Sequence, residues 1–173
     1  KNILRLVEAY NNYRKKSEQE PWDLVICGNG EEKNIIERSI SNYELHNFIH
    51  LVGFIAYEEV GYWYGLASAF VHPALKEQWG LVVNEACASG LPILCSQTVG
   101  SCNDLVLNEE NGYIFDPTSV SEIVRCLLKV HEIGQNDRDK MGRISQSLVK
   151  LCSPEKFGLG LISATKTACN IEN

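Results

Sequence analysis

The stretch KEQWGLVVNEACASGLPILCS, residues 76–96, sets two carboxylates among residues that are otherwise small or apolar. After Gly80 it reads as a helix carrying Leu, Val, Val, Ala, Cys and Ala around its full circumference, which predicts burial by a sheet and neighbouring helices. Glu85 stands inside that helix, and a buried charge without partners costs several kcal/mol. An ionised carboxylate is an acceptor only. Its complements are therefore a basic side chain, solvent, or a pair of neighbouring hydroxyls such as a ribose 2′,3′-diol. The same helix starts with no acid at Gly80, Leu81 and Val82. Backbone amides there have no intrahelical partner and point outward at the positive end of the helix dipole, a cradle for phosphate. Gly80 lets the backbone approach a ligand closely, and Trp79 walls one side. Glu77, on the loop beyond the phosphates, is placed to accept hydrogen bonds from sugar hydroxyls. Lys76 reads as a solvated loop lysine.

A second glycine loop, GNGEE after LVIC, is a poorer anion site. It matches part of a dinucleotide fingerprint, but Lys33 holds the third glycine position and Glu31 and Glu32 open the following helix, where they would repel a pyrophosphate. An ordinary strand-to-helix turn is the expectation, and nicotinamide dinucleotide binding loses its support.

The elements that must position these loops alternate. KNILRLVEAYNNYRKK has a helical apolar stripe, LVIC reads as a buried strand, EEKNIIERSI as a helix, FIHLVGF as a strand, YEEVGYWYGLAS as a helix and AFVHP as a strand. The helix from Gly80 stops at Gly90, and LPILCS and NGYIF are further strands. From Pro117 onward three helices are expected: Ser119 with Glu122 forms a capping box, and Ser153 with Pro154 marks another start. This order predicts an α/β fold, a Rossmann-like doubly wound parallel sheet with a helical C-terminal segment, in one domain spanning 1–173. Ligands of such sheets bind beyond the carboxyl ends of the strands. A doubly wound unit ordinarily begins with its innermost strand, whereas this chain opens on a helix; the expectation is a cut just after a first strand, with the central position of the sheet empty or filled from elsewhere.

Composition narrows the function classes. Apolar residues make up 45% and charged residues 22% of the 173, the balance of a globular protein. A net charge of −6, with Arg14, Lys15 and Lys16 as the one basic cluster, argues against a nucleic-acid surface. No apolar run spans a bilayer and no signal peptide is evident, so a cytoplasmic setting is expected. The seven cysteines are odd in number and never spaced C-x-x-C, which suggests reduced core thiols. His46 and His50 fall on a strand, where positions four apart lie too far separated to share a metal ion.

The pattern from Glu77 to Glu85, followed by ACASGLPILCS, resembles the glutamate-seven-residues-glutamate signature of the retaining GT-B glycosyltransferases of family 4 (group 1). The likeness runs along nearly the whole chain, through KNILRLVEAY, LVICGNGEE, FIHLVGFIAYEEV, AFVHPALKEQWGLVVNEACASGLPILCS and ENGYIFDP in the order of that family's C-terminal domain. It implies the donor-binding half of a two-domain enzyme that transfers a hexosyl-type group from a nucleotide-diphosphate sugar to an acceptor hydroxyl with retention. Glu77 would contact the transferred sugar, positioning it rather than attacking it, and Glu85 the ribose. Gly80, Leu81 and Val82, with Gln78 and Trp79, would surround the sugar and diphosphate. Val52, Gly53 and Phe54 would meet the base, and Lys1 the diphosphate. The family's arginine would precede Lys1. Ser101 departs from a frequent Gly-Gly pair, which puts a backbone contact from that loop in doubt. No cofactor and no divalent metal are implied. The acceptor, a glycan or lipid-linked glycan, would be bound by an N-terminal domain outside this chain, with peripheral membrane association of the full-length enzyme and a role in polysaccharide synthesis. The isolated chain would then bind nucleotide without turnover. Alternative readings are a GT-B-like nucleotide-sugar epimerase, for which His72 is the nearest imidazole, and a nucleotide-binding or interaction module without activity.

Overall fold

The computed structural model describes residues 1–169; the last four residues of the expected 1–173 domain lie outside them. Five short strands, β1 (Leu24–Cys27), β2 (Ile49–Gly53), β3 (Phe70–His72), β4 (Ile93–Ser96) and β5 (Gly112–Phe115), are all parallel to their partners. Each falls within a run whose apolar, β-branched residues sit between turn residues. Around them lie α1 (Ile3–Lys16), α2 (Lys33–Asn42), α3 (Tyr57–Leu66), α4 (Leu81–Ala88), α5 (Cys102–Leu105), α6 (Val120–Glu132), α7 (Gln135–Val149) and α8 (Pro154–Ala168). The short α5 was not expected from the sequence, because four residues carry no period.

Side chains alternate across β4 and β5 and so define two layers. Leu94, Tyr113 and Phe115 face a core built with Leu6, Val7 and Tyr10 of α1 and Ile123 and Val130 of α6. Ile93 and Cys95 face the other way, onto Val83, Ala86 and Cys87 of α4 and Cys102 and Leu105 of α5. Cys87, Cys95, Cys102 and Cys126 are buried free thiols, while Cys27, Cys152 and Cys169 are exposed. His50 lies beside Asp23, Nε2 to Oδ2 2.8 Å.

The sheet is interrupted. β1 pairs with β2, and β3, β4 and β5 form a separate ladder in that order; among the described residues no ladder joins β1 to β3. The two unpaired edges flank an open groove, lined by Leu24 on one side, Phe70 and Val71 on the other, and Tyr10, Leu127 and Val130 on its floor. This is the central position that the sequence left without a strand. α3, which connects the two sheets, buries none of its residues.

Two sequence expectations need correction. The helix after Gly80 is not buried all round: Val83, Ala86 and Cys87 are buried, but Leu81 is 68% exposed and Glu85 is half-buried. Val82 and Asn84 are likewise half-buried and Ala88 is exposed, so part of the circumference of α4 meets solvent. The helix after the GNGEE loop starts at Lys33, with Glu31 and Glu32 still in the preceding turn.

Candidate functional site

Two loops at the carboxyl ends of β3 and β4 build the site. After β3 the chain passes Pro73 and turns at Gly80, whose φ of +90° is the left-handed conformation that glycine adopts without strain. α4 begins there: Val83 N donates to Gly80 O at 2.9 Å, so the amides of Leu81 and Val82 lie ahead of the first intrahelical bond. Trp79 folds over this turn, its indole donating to Asn84 Oδ1 at 2.8 Å. The loop after β4 braces the first. Gly100 N donates to Glu77 O at 3.0 Å, Ser101 N to Trp79 O at 2.9 Å, and Glu77 and Val99 form a parallel bridge. Thr98 Oγ1 donates to Ala74 O at 2.9 Å, and Ser96 and Thr98 hydroxyls meet at 2.7 Å.

The start of the chain is pinned to the same edge. Asn2 adopts a left-handed conformation, φ 64°, and its side-chain amide donates to Pro73 O at 3.0 Å and Pro117 O at 2.8 Å. Arg5 adds a bond to Asn2 Oδ1 at 2.9 Å. Lys1 is thereby delivered to Glu77, with which it forms an ion pair. The Lys1 ammonium holds the Glu77 carboxyl below the usual carboxylate range. His72 lies beneath the pair at 6% exposure. Its Nε2 is 3.7 Å from Glu77 Oε2, too long for a hydrogen bond, and has no hydrogen-bond partner among the described residues.

Glu85 has a partner that the sequence did not suggest. Tyr64, in the last turn of α3, donates its hydroxyl to Glu85 Oε2 at 2.9 Å and lies 3.3 Å from Val82 O. Burial, then the bond to Glu85, pushes the Tyr64 phenol well above its ordinary value. Lys1, His72, Glu77 and Gly80 thus form one cluster, and Tyr64, Val82 and Glu85 an adjoining one along α4. Gln78 and Trp79 stand exposed between loop and helix. Val52, Gly53 and Phe54 lie apart from these clusters, at the end of β2 in the other sheet, where Gly28 N donates to Gly53 O and Phe54 is 86% exposed.

The buried imidazoles give the fold a pH dependence. Burial, then the Lys1 charge, lowers His72 from 6.5, and burial, then Arg138, lowers His131. Below 6.5 the unfolded chain therefore binds protons that the folded chain refuses, so stability falls as pH drops through that value. Urea melts at pH 7.5 and 5.5 should show the lower midpoint at 5.5. Equal midpoints would contradict the burial of both rings.

Comparison with known proteins places this architecture. Residues 1–148 match the model of the family described as glycosyl transferases group 1. The chain is 28% identical over 132 residues to the alpha-monoglucosyldiacylglycerol synthase of Acholeplasma laidlawii, covering 76% of this chain and 32% of that protein. It is 28% identical over 130 residues to O-antigen chain mannosyltransferase B of Escherichia coli, covering 75% and 33%. The chain thus spans about a third of the length of these relatives. Among solved structures, sucrose-phosphate synthase of Thermosynechococcus elongatus superposes with a TM-score of 0.80 at 25% identity, over 99% of this chain and 43% of the other. The C-terminal domain of a glycosyl transferase group 1 protein from Francisella tularensis gives 0.75 at 26%, over 87% and 78%. Among the described residues no helix is long and apolar enough to cross a membrane. With its α/β fold of parallel strands matching GT-B C-terminal domains, the chain belongs to the glycosyl transferases group 1 family.

Proposed function

We propose that this chain is the donor-binding half of a retaining family 4 glycosyltransferase, which takes a hexosyl-type group from a nucleotide-diphosphate sugar to an acceptor hydroxyl. The observation that carries the reading is the α4 entrance: amides ahead of the first helical bond, with Glu77 on one side and Glu85 one helical turn along on the other. Such an entrance suits a diphosphate between a sugar and a ribose. In this reading Glu77 holds the transferred sugar and Glu85 the ribose hydroxyls. The amides near Gly80, Leu81 and Val82 carry the diphosphate, and Val52, Gly53 and Phe54 meet the base. Negative charge gathers on the departing diphosphate as the glycosidic bond breaks. In this reading the oriented amide dipoles meet that charge, and Lys1, ion-paired with Glu77 beside them, adds its positive charge, so the transition state is stabilised more than the ground state. Neither a cofactor nor a divalent metal is assigned a part. Acceptor recognition and the facing half of the cleft belong to a second domain, so the isolated chain binds donor without turnover.

Structural neighbours crystallised with UDP, among them the pneumococcal O-GlcNAc transferase GtfA, fit the same reading. The epimerase alternative needs an accessible acid–base group. His72 is sealed under Gly80 and Glu77, which disfavours it.

Calorimetric titration of the chain with UDP, GDP and their sugar conjugates tests the proposal. Glu85→Gln should weaken the preferred nucleoside diphosphate about tenfold, since a charged hydrogen bond to a hydroxyl contributes ~1.5 kcal/mol or more. Glu77→Gln should weaken sugar conjugates more than the free diphosphate. Wild-type affinity in the Glu85 variant would remove the ribose assignment.

A further inference from the structure

Glu85 is half-buried on a helix, on a flexible side chain whose carboxylate must be aimed before it can serve a ribose. What aims it is a residue on a different element. The Tyr64 ring rests edge-on against Phe70 of β3, centroids 5.8 Å apart at 64°, so the phenol is anchored to the sheet. Its hydroxyl reaches across to Glu85 Oε2 at 2.9 Å and lies 3.3 Å from the Val82 carbonyl in the first turn of α4.

We infer that Tyr64 is a positioning residue for the nucleotide site, holding Glu85 in the one orientation that accepts hydrogen bonds from two adjacent ribose hydroxyls. The inference rests on the ribose role proposed for Glu85. A carboxylate has about four lone-pair positions. Tyr64 occupies one, on Oε2, which leaves Oε1 free and a second position on Oε2, the acceptor pair that a cis-diol needs. Tyr64 and the diol both donate to Glu85, at different lone-pair positions. The strong upward push on its ionisation keeps the proton in place through the neutral and mildly alkaline range. Fixing Glu85 before the ligand arrives removes rotamer entropy that binding would otherwise have to overcome.

The test compares ribo- with 2′-deoxyribonucleoside diphosphates by calorimetric titration of the 173-residue chain. Tyr64→Phe keeps the ring on Phe70 and removes only the hydroxyl. It should weaken the ribonucleotide about fivefold while changing the deoxynucleotide less than twofold. Glu85→Asp, which withdraws the carboxylate from the phenol, should show the same selective loss. The double variant Tyr64→Phe/Glu85→Gln should bind no more weakly than Glu85→Gln alone, because the tyrosine acts through the glutamate. Equal weakening of both nucleotides in Tyr64→Phe, or wild-type affinity for both, would overturn the positioning role, provided that Glu85→Gln weakens the ribonucleotide more than the deoxynucleotide. Equal effects of Glu85→Gln on the two nucleotides would instead overturn the ribose assignment itself.

Discussion

Replacing Gly100 with alanine is expected to lower nucleotide affinity about 100-fold and to destabilise the fold by ~3 kcal/mol, although Gly100 touches no ligand in the proposed scheme. A Cβ at this position would stand 1.8 Å from Gln78 O and 2.7 Å from Gln78 C. Both are backbone atoms, so no side chain can rotate out of the way. Relief requires the carbonyl to move by more than 1 Å, roughly the gap to an ordinary carbon–oxygen contact. Gln78 cannot move alone. It lies between Glu77, whose carbonyl accepts from Gly100 N at 3.0 Å, and Trp79, whose carbonyl accepts from Ser101 N at 2.9 Å. Pushing the peptide therefore shifts Glu77 on one side and Gly80 on the other, and with Gly80 the amides at the mouth of α4. Ångström errors in a preorganised anion site are expensive in affinity. Ser101 offers a control at the adjacent residue. Its buried hydroxyl has no partner among the described residues, so Ser101→Ala should leave both stability and affinity near wild type. Urea melts and nucleotide titrations on the two variants check the pair. Wild-type affinity in Gly100→Ala would show that the two loops are not coupled.

Gly100 illustrates where sequence reasoning stops. Strands of β-branched residues, the N-cap at Ser119, whose hydroxyl accepts from Glu122 N at 3.3 Å, and the start at Ser153, which accepts from Lys156 N at 3.3 Å, are local signals and were legible as such, although the Glu122 carboxylate accepts from Asp116 N and leaves the capping box half-formed. The opening of α4 at Gly80 was legible for the same reason: chain-local chemistry decides a helix mouth. The surroundings of Glu85 were not. Uniformly apolar composition suggested an enclosed helix, yet exposure depends on whether a neighbour covers each face, and one face of α4, with Leu81 and Ala88, is left uncovered. Tyr64 lies 21 residues before Glu85 and on another helix. No spacing rule relates them, and three aromatic residues in YWY gave no reason to single out the third. Family likeness alone put Lys1 on the diphosphate and Glu77 on the sugar; their ion pair, across 76 residues, was not expected. Its physical basis, the turn at Asn2 tied to Pro73 and Pro117, needs the folded chain.

An extended apolar segment placed between β1 and β3 is expected to raise the thermal midpoint by on the order of 10 °C or more. Each of these strands pairs on one edge only, and parallel strands are stable when paired and covered on both faces. The groove between them already has a floor of Tyr10, Leu127 and Val130. α3, between β2 and β3 in the chain, buries none of its residues and leaves Val60 and Trp63 half-buried. Asn2 fixes the direction of the insertion. Because its amide is tied to carbonyls beyond the carboxyl ends of β3 and β5, a segment fused directly ahead of Lys1 enters the groove running parallel to both edges. About five residues rich in valine and isoleucine match the strand lengths present. Their apolar burial together with that of the groove, at ~25 cal/mol per Å², exceeds the entropy of ordering them by an order of 5 kcal/mol. A serine–glycine segment of equal length, which has the backbone but not the side chains, should give little gain. The fusion should also tighten nucleotide binding, because settling α3 onto a strand holds Tyr64 in place against Glu85. Differential scanning calorimetry of the two fusions decides the matter: equal midpoints would mean that the facing edges do not receive a strand, and a higher midpoint without a tighter nucleotide would separate the stability of the sheet from the orientation of Glu85.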